Sequence, residues 1–221
     1  MKQRTLALFD LDYTLLEADS EELWSRYLFE KQVVDAAFVA RIGKFYEQYE
    51  RGSLDLVRYQ EFLLAPLASN PLAEMVRLRE SFLEVLQDTV RPYMRERLDW
   101  HRAEKHELLL ITATNSFLAR PIAEMLDFPN LICTQAELRD GRFTGRVSGV
   151  AAFQYGKVIR LAAWLRDNKL SLKGSWCYSD SHNDLPLMTL VDNPVMVGPD
   201  DRLRQYGVAR GWELCEPVLS E

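Results

Sequence analysis

Paired acidic side chains follow the first apolar run of the chain. The stretch FDLDYTLL places Asp10 and Asp12 directly after the run TLALF, and the later stretch YSDSHNDLP places Asp180 and Asp184 after SWC. Ligands of open α/β sheets bind beyond the carboxyl ends of the strands. We therefore expect these carboxylates to meet at one edge of a sheet.

Such a group of acids calls for positive charge. Carboxylates that share a site repel one another, and a hard cation that prefers oxygen ligands, Mg²⁺ above all, would relieve that repulsion. Lys157, in QYGKVIRL near a predicted helix start, adds a second positive charge. Together with hydroxyl groups and helix N-termini, these features suit a phosphate dianion. Asp10 would then attack phosphorus, while Asp12 would protonate the leaving oxygen and later activate water.

Short apolar runs, separated mostly by segments of helical length, predict the elements that position these side chains. The runs occupy residues 5–9, 107–112, 130–134, 175–179, 193–197 and 211–215. This alternation is typical of an α/β fold with a parallel sheet, here a Rossmann-like doubly wound sheet. Because Asp-Gly between two β-like runs is a strong hairpin signal, Asp140-Gly141 predicts a hairpin over residues 137–147.

Residues 17–105 interrupt the alternation with several helical patterns and no convincing strand pattern. A crossover between parallel strands needs only about a dozen residues, so this segment is long enough to form a second, smaller domain. We expect a helical domain over residues 18–88, inserted after the first strand, and a core formed by residues 1–17 and 89–221. Anything held at Asp10 would lie beneath the insert.

The composition and net charge limit the classes of partner that we expect the protein to bind. The 221-residue chain is 48% hydrophobic and carries a net charge of −6, without the block of Lys and Arg that nucleic acid or anionic lipid requires. Its first apolar run is too short for a signal peptide, and no later run approaches the ~18 residues of a membrane span. Three widely spaced cysteines predict buried free thiols. We expect a cytoplasmic protein with a small-molecule partner, while the oligomeric state stays open.

Four ordered stretches carry a family resemblance. DLDYTL, LLLITATN, GKVIRL and YSDSHNDLP resemble, in this order, the four motifs of the haloacid dehalogenase (HAD) superfamily of phosphatases. The helical insert resembles a C1 cap, and the DGRFTGRV hairpin is also similar to the phosphoserine-phosphatase-like branch, subclass IB. Two departures are the serines Ser179 and Ser181 around Asp180, and Thr112 in place of a commoner serine. Neither departure removes a carboxylate or a hydroxyl group.

The resemblance implies roles around a magnesium ion. Asp10 becomes the nucleophile and a metal ligand. Asp12 becomes the general acid/base and places its backbone carbonyl on the metal. Asp180 becomes the third protein ligand of Mg²⁺. The expected activity is hydrolysis of a phosphomonoester through an aspartyl-phosphate intermediate.

The resemblance also assigns residues around the transferred group. Thr112 and Lys157 would hold the phosphoryl group, and Asn183 and Asp184 would orient the metal shell. Without the other motifs, Lys157 would be interpreted as a solvated helix lysine and Thr112 as the end of a strand. Their place in the motif order favours the functional interpretation.

Substrate choice is expected to depend on the insert. DLDYTLLEADSEELW and ITATNSFLARPIA resemble a histidinol-phosphate phosphatase branch, which favours histidinol phosphate over phosphoserine, both metabolites of amino-acid biosynthesis. Both substrates carry an ammonium group, for which Asp19 is the first candidate partner. Phosphoserine also needs a cation such as Arg26, Arg51 or Arg58, whereas imidazole needs an aromatic wall and a hydrogen-bond partner. Two functions of another class stay open: a phosphotransferase, or a non-catalytic phosphometabolite-binding protein.

Overall fold

A single twisted sheet forms the centre of the protein. The computed structural model describes residues 4–51 and 53–216. Across these residues seven strands lie in the order β4-β3-β2-β1-β5-β6-β7. They are β1 Leu6–Phe9, β2 Glu107–Asn115, β3 Asn130–Arg139, β4 Arg142–Ser148, β5 Trp176–Ser179, β6 Asn193–Val197 and β7 Glu213–Cys215. All neighbours pair in parallel except β3 and β4, so the predicted α/β fold is confirmed.

Helices cover both faces of the sheet and fill the predicted insert. Between β1 and β2 lie α1 Ser20–Glu30, α2 Ala36–Glu50, α3 Leu56–Ser69, α4 Leu72–Leu86 and α5 Pro92–Ala103. The remaining helices are α6 Ser116–Met125, α7 Tyr155–Asn168, the short α8 Leu185–Met188 and α9 Asp201–Val208. In the part of the chain that the structure describes, none of these helices is long and apolar enough to cross a membrane.

Strand β1 shows how the sequence sets the two hydrophobic cores. Its four residues, LALF, are all fully buried, as expected for a parallel strand covered on both faces. Ala7 and Phe9 point into a cluster shared with α5 and α6, and Leu6 and Leu8 into a cluster shared with α7, α8 and α9. Asp10 directly follows Phe9 and therefore lies at the carboxyl end of this central strand.

The strand order reverses at β1. The chain adds β2 and β3 on one side of β1 and then returns to add β5, β6 and β7 on the other. Such a switch point opens a crevice at the carboxyl ends of the strands. Asp10 follows β1 at this crevice, and its backbone N–H donates to the carbonyl oxygen of Tyr178 in β5, at 3.0 Å.

The two chain connections to the helical insert pair with each other. Leu16 and Val90 form an antiparallel bridge. Beside it, the N–H of Glu17 donates to the carbonyl of Thr89, at 2.8 Å, and the N–H of Arg91 donates to that of Leu15, at 2.9 Å. The predicted domain boundaries, after residues 17 and 88, fall beside this bridge and stay a prediction.

The predicted hairpin is present between β3 and β4. Asp140 and Gly141 have φ angles of 50° and 74°, the left-handed conformations that a two-residue type I′ turn requires. Gly145 in β4 faces α3, where an added Cβ atom would lie 3.2 Å from that of Ala68. The hairpin therefore supports the insert from the core side. Strands β2 and β3 run beyond their predicted ends, and β7 is shorter than predicted.

Candidate active site

Lys157 is the centre of a buried ion cluster. Its Nζ donates to Asp10 Oδ1 at 2.8 Å and to Asp184 Oδ2 at 2.7 Å, and the lysine is 3% exposed. Ser179 Oγ donates to the same Asp184 oxygen at 2.8 Å. Burial alone would lower the pKa of Lys157, but the charges of Asp10 and Asp184 raise it above its usual value. The lysine is therefore a fixed cation beside Asp10.

The first turn of α7 holds Lys157 in place. Gly156 lies so close to Ala151 that an added Cβ atom would be 2.0 Å from the Ala151 carbonyl oxygen. Gln154, just before the helix, has a φ of 47°, a left-handed conformation that is uncommon outside glycine. The sharp entry into α7 thus directs the lysine toward the end of β1.

Asp180 lies next to the same cluster. Its Oδ1 accepts a hydrogen bond from Thr14 Oγ1 at 3.2 Å, and its N–H donates to that hydroxyl at 3.0 Å. Burial raises the pKa of Asp180 well above its usual value, and the charges of Asp10 and Asp184 raise it further. Burial also raises the pKa of Asp10 to about 7, despite the opposing charge of Lys157. The cluster thus holds more acid than its lysine neutralises.

This excess of carboxylate oxygen fits a hard divalent cation. Among the described residues, no group of three or more His, Cys, Asp or Glu side chains forms a metal-binding set. A site made of the Asp10 and Asp180 carboxylates and the Asp12 backbone carbonyl has only two side-chain ligands and needs no such group. The donor chemistry therefore agrees with the magnesium site that the sequence predicts.

The carboxyl group of Asp12 is separate from the Lys157 cluster and is hydrogen-bonded to residues of α1 and β2. Its Oδ1 accepts from the N–H of Ser20 at 2.7 Å, and its Oδ2 accepts from Thr114 Oγ1 at 2.6 Å. Burial, and then the charge of Asp19, raise the pKa of Asp12 to about 7. Thr112 Oγ1 donates to Thr114 Oγ1 at 3.0 Å. The carboxyl group of Asp12 is therefore oriented by backbone and hydroxyl donors.

Asn183 lies in a hydrogen-bonded group that reaches the insert through Ser181. Its side-chain oxygen accepts from Gln154 Nε2 at 2.7 Å, and its Nδ2 donates to Ser181 Oγ at 3.2 Å. The hydroxyl groups of Ser181 and Tyr49 of α2 are hydrogen-bonded at 2.7 Å. A serine that departs from the commoner form of the motif thus contacts the insert directly.

Asp19 begins helix α1 at the roof of the site. Its Oδ1 accepts from the N–H of Glu22 at 2.8 Å, which makes it the N-cap, a position that favours aspartate. Its Oδ2 accepts from Tyr46 OH at 3.1 Å. Burial raises the pKa of Asp19 above its usual value. Asp19 thus adds an acidic group from the insert to the same site as Lys157.

One cavity collects all the residues that the sequence predicts for the site. It has a volume of about 150 Å³. The predicted residues that line it are Asp10, Asp12, Asp19, Thr112, Lys157, Asp180, Asn183 and Asp184. Its roof is largely aromatic and includes Phe45, Tyr46, Tyr49 and Tyr59. The convergence of these residues is thus as expected, and their individual roles stay predictions.

The sequence did not reveal a second buried network in the cavity wall. Glu21 Oε1 accepts from the N–H and Nδ2 of Asn115, at 2.9 Å and 2.6 Å. Glu21 Oε2 accepts from Gln60 Nε2 at 2.8 Å. No role was assigned to Thr14 from the sequence either, although Thr14 is the fifth residue of the D-x-D-x-T pattern. Gln60 lies in a helical stretch outside the four motifs, so no motif indicates that it lines the site.

This chain is similar to known proteins in sequence and, for one of them, in structure. The chain is 38% identical to a histidinol-phosphatase of Neisseria meningitidis, over 98% of this chain and 99% of that one. It is 34% identical to a phosphoserine phosphatase of Mycobacterium tuberculosis, over 94% of this chain and 69% of that one. A crystal structure of a Bordetella pertussis protein of unknown function superposes with a TM-score of 0.89, at 38% identity, over 96% of this chain and 98% of that one.

The match to a family profile agrees with the order of the motifs. The profile described as haloacid dehalogenase-like hydrolase matches residues 7–189. This range begins in β1, includes the helical insert and ends just after α8. It therefore contains every residue of the Lys157 cluster. The chain belongs to the haloacid dehalogenase-like hydrolase family.

Proposed function

We propose that the protein is a Mg²⁺-dependent phosphomonoester hydrolase that acts through an aspartyl-phosphate intermediate, with histidinol phosphate as its substrate. The phosphatase class follows from the family and from the names of its relatives. The observation that carries the proposal is the placement of Lys157 between Asp10 and Asp184, in a cavity that Asp12 also lines. This arrangement supplies a nucleophile, a fixed cation and a proton donor.

Magnesium would be held by the carboxylates of Asp10 and Asp180 and by the backbone carbonyl of Asp12. When bound, it would neutralise negative charge on the phosphate oxygens. Lys157, which donates to Asp10 Oδ1, would balance part of the remaining charge. Asp184 keeps Lys157 in position through its 2.7 Å contact.

The proposed chemistry proceeds in two steps on the side chains of this chain. A carboxylate oxygen of Asp10 attacks phosphorus, and the bond between phosphorus and the leaving oxygen breaks. Asp12 gives its proton to that oxygen, so the alcohol leaves neutral. Asp12 then takes a proton from water as the water attacks the phosphoaspartate, which breaks the bond between Asp10 and phosphorus and releases phosphate. Thr112 would contribute to the hydroxyl-rich wall that holds the phosphoryl group.

The cavity lining favours histidinol phosphate over phosphoserine. No arginine is among the lining residues that the structure describes, and Arg26, Arg51 and Arg58 are exposed. A substrate carboxylate would therefore lack the bidentate partner that it prefers. Asp19 can pair with the ammonium group that both substrates carry, and the aromatic roof can pack against an imidazole ring. Phosphoserine remains the second candidate because of the 34% identical phosphoserine phosphatase.

The first test is phosphate release from histidinol phosphate, phosphoserine and p-nitrophenyl phosphate, with Mg²⁺ or with EDTA. We expect Mg²⁺-dependent turnover that falls at least about a thousandfold in Asp10→Asn, because the nucleophile is lost. The exposed Asp88→Asn is the control and should retain full activity. Undiminished turnover in Asp10→Asn would contradict the proposal.

Two other functions are separated by the same assay. A phosphotransferase would use the same Asp10 intermediate but would release less phosphate, and form a new ester, when an alcohol acceptor is added. A non-catalytic binding protein would retain the phosphomonoester without turnover. The proposed role needs a small-molecule partner alone and agrees with the cytoplasmic location expected from the sequence.

A further inference from the structure

Two neighbouring residues of α3 leave polar atoms unpaired in the wall of the cavity. Tyr59 is 7% exposed and Gln60 is 0% exposed. The hydroxyl group of Tyr59 and the Oε1 atom of Gln60 have no hydrogen-bond partner, and both residues line the cavity beneath the insert. Buried polar atoms nearly always have a partner, so an unpaired pair in a cavity wall requires an explanation.

The orientation of the Gln60 amide follows from its other contacts. Its Nε2 donates to Glu21 Oε2 at 2.8 Å and to the carbonyl oxygen of Ala113 at 3.2 Å. Both partners are acceptors, so the amide nitrogen must face them. Oε1 is therefore the atom that is left without a partner.

The network around Glu21 keeps this arrangement rigid. Glu21 is 5% exposed, and its two carboxylate oxygens accept hydrogen bonds from Asn115 and Gln60. Glu21 is thus a positioning residue, held between α1, α3 and the end of β2. It fixes the amide nitrogen of Gln60 and so leaves Oε1 as an unpaired acceptor in the cavity wall.

The neighbouring hydroxyl supplies the complementary group. Tyr59 can donate its O–H hydrogen, and Gln60 Oε1 can only accept. A neutral imidazole ring has one nitrogen that accepts and one N–H that donates. Phe45 adds an aromatic surface, with its ring centroid 5.1 Å from that of Tyr59.

We infer that Tyr59 and Gln60 determine specificity by binding the imidazole ring of the leaving alcohol, Tyr59 as the donor and Gln60 Oε1 as the acceptor. The inference rests on the proposed function and names the groups that select its substrate. Serine has no such ring. Its carboxylate could accept from Tyr59, but no arginine lines the cavity among the described residues to pair with that charge, so phosphoserine would be bound less well than the imidazole ring.

Tyr59→Phe is the most direct test because it removes only the unpaired hydroxyl. We expect kcat/KM for histidinol phosphate to fall about tenfold, the effect of losing one hydrogen bond to the substrate. The value for p-nitrophenyl phosphate, whose leaving group has no imidazole, should stay unchanged. The melting temperature should not fall, since the hydroxyl has no partner to lose.

Calorimetric binding of L-histidinol, the product alcohol, gives a readout that does not depend on catalysis. Wild type should bind L-histidinol about tenfold more tightly than Tyr59→Phe. Tyr93→Phe is the matched control, because the Tyr93 hydroxyl is also buried but lies in α5 outside the cavity lining. Tyr93→Phe should match wild type with every ligand.

The outcomes separate this inference from the proposed function. The inference would be overturned if wild type and Tyr59→Phe bound L-histidinol equally well. It would also be overturned if Tyr59→Phe lowered kcat/KM by the same factor for histidinol phosphate and for p-nitrophenyl phosphate. If wild type hydrolyses p-nitrophenyl phosphate but neither binds L-histidinol nor hydrolyses histidinol phosphate, the phosphatase stands and the inference fails. If no ester is hydrolysed but L-histidinol binding depends on Tyr59, the inference stands and the proposed hydrolysis fails.

Discussion

The charged residues at the bottom of the cavity are mostly acidic. Asp10 and Asp184 contact Lys157, and Asp180 lies close enough for their charges to raise its pKa. Asp10, Lys157 and Asp184 are buried, which removes the water that would otherwise screen their charges. A lone lysine therefore leaves net negative charge in a place of low dielectric constant. The divalent cation proposed above would cancel that charge, so the site would no longer repel a phosphate dianion.

A second group of residues, below the cavity, affects stability instead of chemistry. His101 of α5 is 0% exposed. Its Nε2 lies 2.8 Å from Tyr178 OH and its Nδ1 lies 2.7 Å from His106 Nδ1. Burial, followed by the charges of His106 and Arg97, lowers the pKa of His101 to about 3. A neutral imidazole suits both contacts, since one nitrogen accepts and the other donates.

This histidine makes the free energy of unfolding depend on pH. The folded pKa of about 3 lies below the usual 6.5, so the unfolded chain binds the proton more tightly. The stabilising effect of neutral His101 is complete above pH 6.5 and is lost as the pH falls toward 3. We expect urea unfolding of His101→Gln to show a weaker loss of stability between pH 7 and pH 5 than wild type. An equal loss would contradict this assignment.

At the scale of elements, the start of α7 determines where Lys157 lies. Gly156→Ala would place a methyl group 2.0 Å from the Ala151 carbonyl oxygen, and backbone cannot give way as a side chain can. We expect α7 to shift and phosphate release to fall more than tenfold, because small displacements of catalytic groups are costly.

Gly43→Ala is the matched control for this change. Gly43 lies in α2, and an added Cβ atom would meet nothing within 4 Å. The substitution should leave activity intact and stabilise α2 by up to about 1 kcal/mol. Wild-type phosphate release from Gly156→Ala would show that α7 does not depend on the close approach to Ala151.

Elements were more predictable than the contacts between them. The runs that form β1, β5 and β6 are apolar and short, and local sequence suffices to identify them. The carboxylates at the strand ends were predictable because a parallel sheet brings its carboxyl ends together. Gln60 was not predictable, since its partners Glu21 and Ala113 are 39 and 53 residues away.

The same limit applies to the aromatic residues of the insert. Tyr27 and Tyr49 both recur at helical spacing. Tyr27 packs beside Trp24, whereas Tyr49 lines the cavity and contacts Ser181. Whether such a tyrosine packs against a neighbouring ring or lines the cavity depends on how α1 and α2 pack against the core. The sequence of either helix alone does not show this.

At the scale of the whole molecule, one contact fastens the insert over the site. Tyr49 of α2 bonds to Ser181 in the loop after β5, at 2.7 Å. Tyr49→Phe removes this bond, worth about 1 kcal/mol. We expect the α2 amides to exchange hydrogen about fivefold faster, as measured by mass spectrometry of the protein without ligand.

Tyr155→Phe is the control for this measurement. Tyr155 is 70% exposed at the start of α7, far from α2 in sequence and absent from the cavity lining. It should leave exchange in α2 at the wild-type rate. Equal exchange in wild type and Tyr49→Phe would show that the other contacts between the insert and the core suffice to hold α2 in place.

The bridge between Leu16 and Val90 has a consequence for how such an enzyme changes over generations. Because the chain leaves and re-enters the core at adjacent, paired positions, everything between them can be lengthened, recombined or replaced without altering the spacing of the strands. The groups proposed to break the phosphate ester and most of those proposed to select the alcohol are thus encoded in separate segments. A new substrate can be acquired by exchange of one contiguous piece of gene.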